Sequence, residues 1–153
     1  MPIFLIARSF DINKPGTPLE KLHGGIIAGV LKQGKIKVGD EIEIKPGSYE
    51  KIANQFVYKT LKTKIVSIYR GNHSIQEAIP GGSLAMETEL DNVLTKSDVV
   101  SGCIASTLNN LPEITDKIKI KFKLFDKVFG SSEGLKVEPL KPSELIMLSV
   151  NTG

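Results

Sequence analysis

The sequence is poor in the groups that carry catalysis. Its 153 residues hold one cysteine, Cys103, and two histidines, His23 and His73. A single thiol cannot bridge within the chain, which fits a reducing, cytoplasmic compartment. Cys103 sits in the apolar run Val99-Val100-Ser101-Gly102-Cys103-Ile104-Ala105 and reads as a small buried hydrophobe. A catalytic thiol wants a partnered histidine, and neither histidine stands in a nucleophile motif. His73 reads as a turn residue, and His23, before Gly24-Gly25, as a turn residue or an RNA contact. No Cys-x-x-Cys, no His-x-x-x-His and no run of oxygen ligands at calcium spacing occurs, so no metal pattern is present.

The Gly-x-x-x-x-Gly-Lys-Ser/Thr cradle for nucleotide phosphates does not occur either. Thr95-Lys96-Ser97-Asp98 mimics a guanine-reading pattern, and Asn13-Lys14-Pro15-Gly16 does so without the aspartate. Without a phosphate cradle both read as turns. No apolar run is long enough to span a bilayer. The apolar start Met1 to Arg8 is short and lacks the charged leading region of a signal peptide. The net charge of +3 favours an anionic partner only weakly. These features point to a binding module rather than an enzyme.

What is present is period two. Asp40 to Lys45 alternates and stops at Pro46-Gly47. Lys117 to Leu124 alternates strictly, which on a strand puts Ile118, Ile120, Phe122 and Leu124 on one face and four lysines on the other. The lysine face suits either a nucleic-acid backbone or an exposed strand protected by charge. The carboxylates Glu41 and Glu43 read as a solvated strand face. Further strands are expected over Ile3 to Phe10, Gly25 to Leu31, Thr63 to Tyr69, Ser83 to Thr88, Val99 to Ala105 and Leu145 to Val150. Turns such as Pro15-Gly16, Gly71-Asn72 and Pro80-Gly81-Gly82 separate them.

No segment sustains a helical period, so the expected fold is all-β, a closed β-barrel followed by an incomplete second β-barrel. A boundary is expected at Asn109-Asn110-Leu111-Pro112, giving domains 1–109 and 110–153. The second part supplies too few strands to be stable alone, which leads us to expect that the natural protein continues past Gly153. The polar stretch Ser48 to Lys62, with Tyr49, Phe56 and Tyr58, reads as a functional loop or an irregular hairpin insertion.

Three stretches carry a family resemblance: Ala7 to Thr17; Gly24 to Gly47, with its turn Gly34-Lys35-Ile36-Lys37-Val38-Gly39-Asp40; and Pro80-Gly81-Gly82 through Thr95-Lys96-Ser97-Asp98. Together they resemble the second domain of the gamma subunits of eukaryotic and archaeal translation initiation factor 2. The tail from Leu111 to Thr152, with Val137-Glu138-Pro139-Leu140 and Glu144 to Leu148, resembles the start of the third. The Gly34 to Asp40 turn is shared with elongation factors of the Tu type, and Tu-type or selenocysteine-type elongation factors are the closer rivals within the fold. The long loop from Asn13 to His23 separates this chain from them.

The resemblance implies a GTP-binding domain outside these residues, so GTP and magnesium belong to the parent and no cofactor to this chain. It implies binding of initiator methionyl-tRNA, delivery to the small ribosomal subunit, and association with alpha and beta subunits, with no membrane role. Arg8, Lys14, Gly81 and Gly82 are the candidates for the aminoacyl-tRNA end. For Arg8 a surface salt bridge, and for the glycines turn geometry, are the plainer readings. Tyr49, Phe56 and Tyr58 are the candidates for docking the alpha subunit. A barrel that binds only proteins is the alternative.

Overall fold

A computed structural model describes residues 1–130 and 134–150. Among the described residues nine strands follow one another: β1 (Ile3–Phe10), β2 (Ile26–Gln33), β3 (Ile36–Lys37), β4 (Glu41–Ile52), β5 (Gln55–Arg70), β6 (His73–Ile75), β7 (Glu77–Ala78), β8 (Ser83–Thr88) and β9 (Ile104–Thr107). The only helical segments among the described residues are short 3-10 turns at Leu19–Lys21, Asn92–Leu94 and Lys96–Asp98.

Six strands close a ring in the order β4-β9-β1-β2-β8-β5, with β5 pairing back to β4. All these pairings are antiparallel. Strand β6 adds to the free side of β5, and β3 and β7 form a separate two-stranded ladder. Closure removes the free edges of the ring itself, while the β4–β5 hairpin beyond it, from Ser48 to Lys59, pairs only within itself.

Alternation explains the core. Phe4 and Ile6 of β1, Ile27 and Leu31 of β2, Ile42 and Ile44 of β4, Ile65 and Ile68 of β5, and Leu84 and Met86 of β8 are buried in one cluster. Each such side chain stabilises the fold by about 1.5–3 kcal/mol. Val100 and Cys103 join this cluster from a turn rather than from the strand expected over Val99 to Ala105. Gly102, with φ +83, breaks the extended run, so pairing starts only at Ile104.

The stretch from Ser48 to Lys62 is a hairpin. The ladder of β4 and β5 breaks between Ile44 and Ser48, then resumes from Ser48↔Lys59 to Ile52↔Gln55. Gly47 sits at the break with φ +85, and a Cβ there would collide with the carbonyl oxygen of Lys59. The two-residue tip, Ala53 (φ 47) and Asn54 (φ 64), has the left-handed pair of a type I′ turn. Of the two readings open for this stretch, the hairpin insertion is the one observed.

Met1–Ile114 and Thr115–Leu148 belong to separate compact units. The described part of the latter contains no strand, against the expectation for Lys117 to Leu124. Its ladder is one antiparallel bridge, Lys127↔Lys136, flanked by Val128 N donating to Leu135 O at 2.8 Å. Ile118, Ile120 and Phe122 stay exposed. An alternating segment becomes a strand only when another strand takes its amides and carbonyls, and none faces this one. The run from Leu145 to Val150 likewise forms no ladder among the described residues. No helix among the described residues is long and apolar enough to cross a membrane.

Candidate functional site

The long loop between β1 and β2 is polar, yet it is tightly tied. Asp11 Oδ1 accepts from the backbone N and from Nδ2 of Asn13, both at 2.8 Å. Asn13 in turn grips His23: its Oδ1 accepts the His23 amide at 2.8 Å and its Nδ2 donates to the His23 carbonyl at 2.7 Å. Asn92 Nδ2 donates to the same carbonyl at 2.9 Å. Within the loop, Thr17 N and Oγ1 both donate to Lys14 O, at 3.1 and 2.7 Å. A loop so cross-linked presents its side chains at little further cost in conformational entropy.

The His23 ring is more than a turn ornament. Its Nδ1 lies 2.8 Å from Glu87 Oε1, and because a carboxylate only accepts, Nδ1 carries the shared proton. Ser67 Oγ donates to the other oxygen, Glu87 Oε2, at 2.9 Å. The β2–β8 register places Glu87 opposite Ile26, just past His23 in the chain. No local spacing joins His23 to Glu87, so their pairing was not legible before the topology was known.

Two clefts flank this loop. One, of about 300 Å³, is walled mainly by apolar groups: Phe10, Ile12, Ile26, Tyr69 and Ala85, with His23 and Glu87 as its polar groups. The other, of about 590 Å³, is lined by Asn13, Lys14, Thr17, Asn92, Lys96 and Ser97, and shares Phe10 with the first.

The candidate RNA residues do not all converge. Lys14 lines the polar cleft. Arg8 instead directs Nε at both oxygens of Asp98, at 2.9 and 3.0 Å. Asp98 Oδ1 also takes the Ser9 amide at 2.8 Å. The Arg8 hydrogen bond, then the Ser9 amide and last the Arg8 charge hold the Asp98 carboxyl below its usual range. Gly81 (φ +133) and Gly82 (φ +71) form an open turn with nothing near a built Cβ, and neither lines either cleft.

The hairpin aromatics do come together. Tyr49 meets Phe56 edge to face with ring centres 5.4 Å apart, and Tyr58 at 6.1 Å. All three are about half exposed on one face of the hairpin, and Ile52 and Val57 are about half exposed on the other, so the hairpin carries apolar surface into solvent on both faces. No group of three or more potential metal ligands occurs among the described residues.

Over 151 residues, 99% of its length, the chain is 47% identical to a protein named Translation initiation factor 2 subunit gamma from Methanocaldococcus jannaschii. Over nearly its whole length the chain is thus similar to initiation factor 2 gamma subunits. Proteins of the same name from Pyrococcus abyssi and Methanococcus vannielii are 44% and 46% identical over the same share of the chain. The family model described as Initiation factor eIF2 gamma, C terminal, matches residues 116–153. The chain spans 37% of the length of each of these gamma-subunit relatives.

Proposed function

We propose that this chain supplies the surface on which the gamma subunit of initiation factor 2 holds the aminoacylated end of initiator methionyl-tRNA, together with the surface that docks the alpha subunit. Residues 1–109 are read as the second domain of the factor and 110–153 as the beginning of the third. In the whole factor this activity depends on GTP and magnesium, bound by residues other than these, and serves cytoplasmic delivery of the tRNA to the small ribosomal subunit in company with the beta subunit. The 153 residues themselves catalyse nothing in this reading.

One observation carries it: the apolar cleft of Phe10, Ile12, Ile26 and Tyr69, with the His23–Glu87 pair beside it. A terminal adenine or a methionine side chain needs an apolar wall with few polar groups to orient it. Single-stranded RNA ends are read by stacking on aromatic rings and by hydrogen bonds at base edges. Tyr69 and His23–Glu87 offer both.

Titration of this chain with methionyl initiator tRNA tests the proposal, with Tyr69→Ala as the variant. Saturable binding that the variant weakens supports it. A wild-type chain that ignores the tRNA sinks it.

A second reading, a barrel that binds only proteins, is favoured by the hairpin aromatics and by the commitment of Arg8 to Asp98. Uptake of the alpha subunit without uptake of tRNA would select it.

A further inference from the structure

We infer that the polar cleft beside the apolar one is a phosphate subsite, in which Lys14 and Lys96 hold the backbone of the single-stranded RNA segment that leads into the apolar cleft. The inference rests on the reading above and extends it to residues that reading does not use.

Four observations carry it. The clefts are neighbours that share Phe10 as a lining residue, with the bonded pair Asn13 and His23 lining one each. A ligand with a flat apolar terminus and an anionic tail matches that arrangement, and a nucleotide chain is such a ligand. Next, the cleft gathers one lysine from each of the segments that form it, Lys14 from the β1–β2 loop and Lys96 from the turn after β8. Neither ammonium is paired with a carboxylate among the described residues. The two ammonium groups outnumber the one carboxylate in the lining, Asp11, whose Oδ1 faces Asn13 as acceptor of two hydrogen bonds. Finally, both walls are built rather than loose. Lys14 lies in a turn closed by the bonds of Thr17 to its carbonyl. Lys96 precedes Ser97 and Asp98, whose left-handed backbone (φ 58 and 61) is pinned where Asp98 accepts from Arg8 and Ser9.

This arrangement also gives Arg8 a different role from direct RNA contact. Its guanidinium anchors the turn that presents Lys96, so Arg8 is a positioning residue. A cationic cleft next to an apolar one gives affinity through counterion release, with sequence tolerance at the phosphates.

The test uses a short RNA ending in CCA, labelled at its 5′ end with fluorescein, titrated by anisotropy at several salt concentrations. Lys14→Gln and Lys96→Gln are compared with Lys32→Gln, at an exposed position of β2, and with Tyr69→Ala. The expected result is that each cleft variant weakens binding and lowers the slope of log K against log salt by about 0.7, while Lys32→Gln changes neither. If Tyr69→Ala weakens binding but the cleft lysines behave like Lys32, the phosphate subsite is wrong and the apolar site stands. If all three lysine variants lose the same amount, the attraction is a diffuse field and the subsite is again wrong. If the wild-type chain does not bind the RNA, both readings fall together.

Discussion

The Glu43 carboxylate accepts the amide of Leu111 at 2.9 Å on the outward side of β4. Ile42 and Ile44 point into the barrel, so Glu43 between them points out. It is nonetheless only 3% exposed, because the chain leaving β9 lies across it. Asn110 N donates to the same oxygen at 3.1 Å. Lys45, the next outward residue, stands 3.9 Å from the other oxygen and donates to the carbonyls of Leu111 and Pro112, each at 3.1 Å. The expectation of a solvated Glu43 is thereby corrected.

Glu43 makes stability depend on pH. Burial pushes its carboxyl up, but the Leu111 amide, the Lys45 charge and the neighbouring amides outweigh that and leave it below the ordinary 4.5. A folded-state value below the unfolded one gives stabilisation that is complete above about 4.5 and is lost as pH falls through the lowered value. Glu43→Gln should cost about 1–3 kcal/mol at pH 7 and remove that part of the acid dependence. Urea unfolding at a series of pH values between neutrality and acid measures both.

Asp98 and Arg8 should not be equivalent. Asp98 serves the Ser9 amide as well as the guanidinium, whereas Arg8 loses only a solvent-exposed ion pair, of a kind worth little. Thermal unfolding should show Asp98→Ala lowering the midpoint more than Arg8→Ala. Equal midpoints would mean the Ser9 bond contributes nothing.

Gly29 tolerates no side chain. A Cβ there would overlap the carbonyl oxygen of Leu5 on the paired strand, whereas one on Gly82 meets nothing. Gly29→Ala should cost about 3 kcal/mol or more. Gly82→Ala should cost about 1 kcal/mol, from its positive φ alone. Denaturant midpoints of the two variants give the comparison directly.

Cys103 should be inert in the folded protein. Burial pushes its thiol above the ordinary 9.0, and Sγ donates to the Gly47 carbonyl at 3.7 Å. The thiolate is the reactive form. Labelling with a disulfide reagent at pH 8 should therefore be slow in buffer and immediate in denaturant.

The hairpin aromatics predict a separation of binding from stability. Phe56 is 57% exposed, so Phe56→Ala should change unfolding by less than about 0.5 kcal/mol. If the hairpin docks the alpha subunit, the same change should weaken that association about tenfold or more. Calorimetric titration of the alpha subunit decides it.

Local pattern determined much of this protein. Alternating residues in β1, β4 and β8, broken by glycine and proline, state which side chains enter a core, because a pleated strand has a period of two wherever it lies. The same pattern could not say whether Lys117 to Leu124 would pair, since pairing belongs to two segments and the second was not in view. Nor could it say that Glu43 would be covered, or that His23 would find Glu87 and Lys14 would share a cleft with Lys96. Those relationships join residues far apart in the chain. Closing the barrel created them, because only closure determines which outward faces meet, which are covered by a returning segment, and which remain free to receive a ligand.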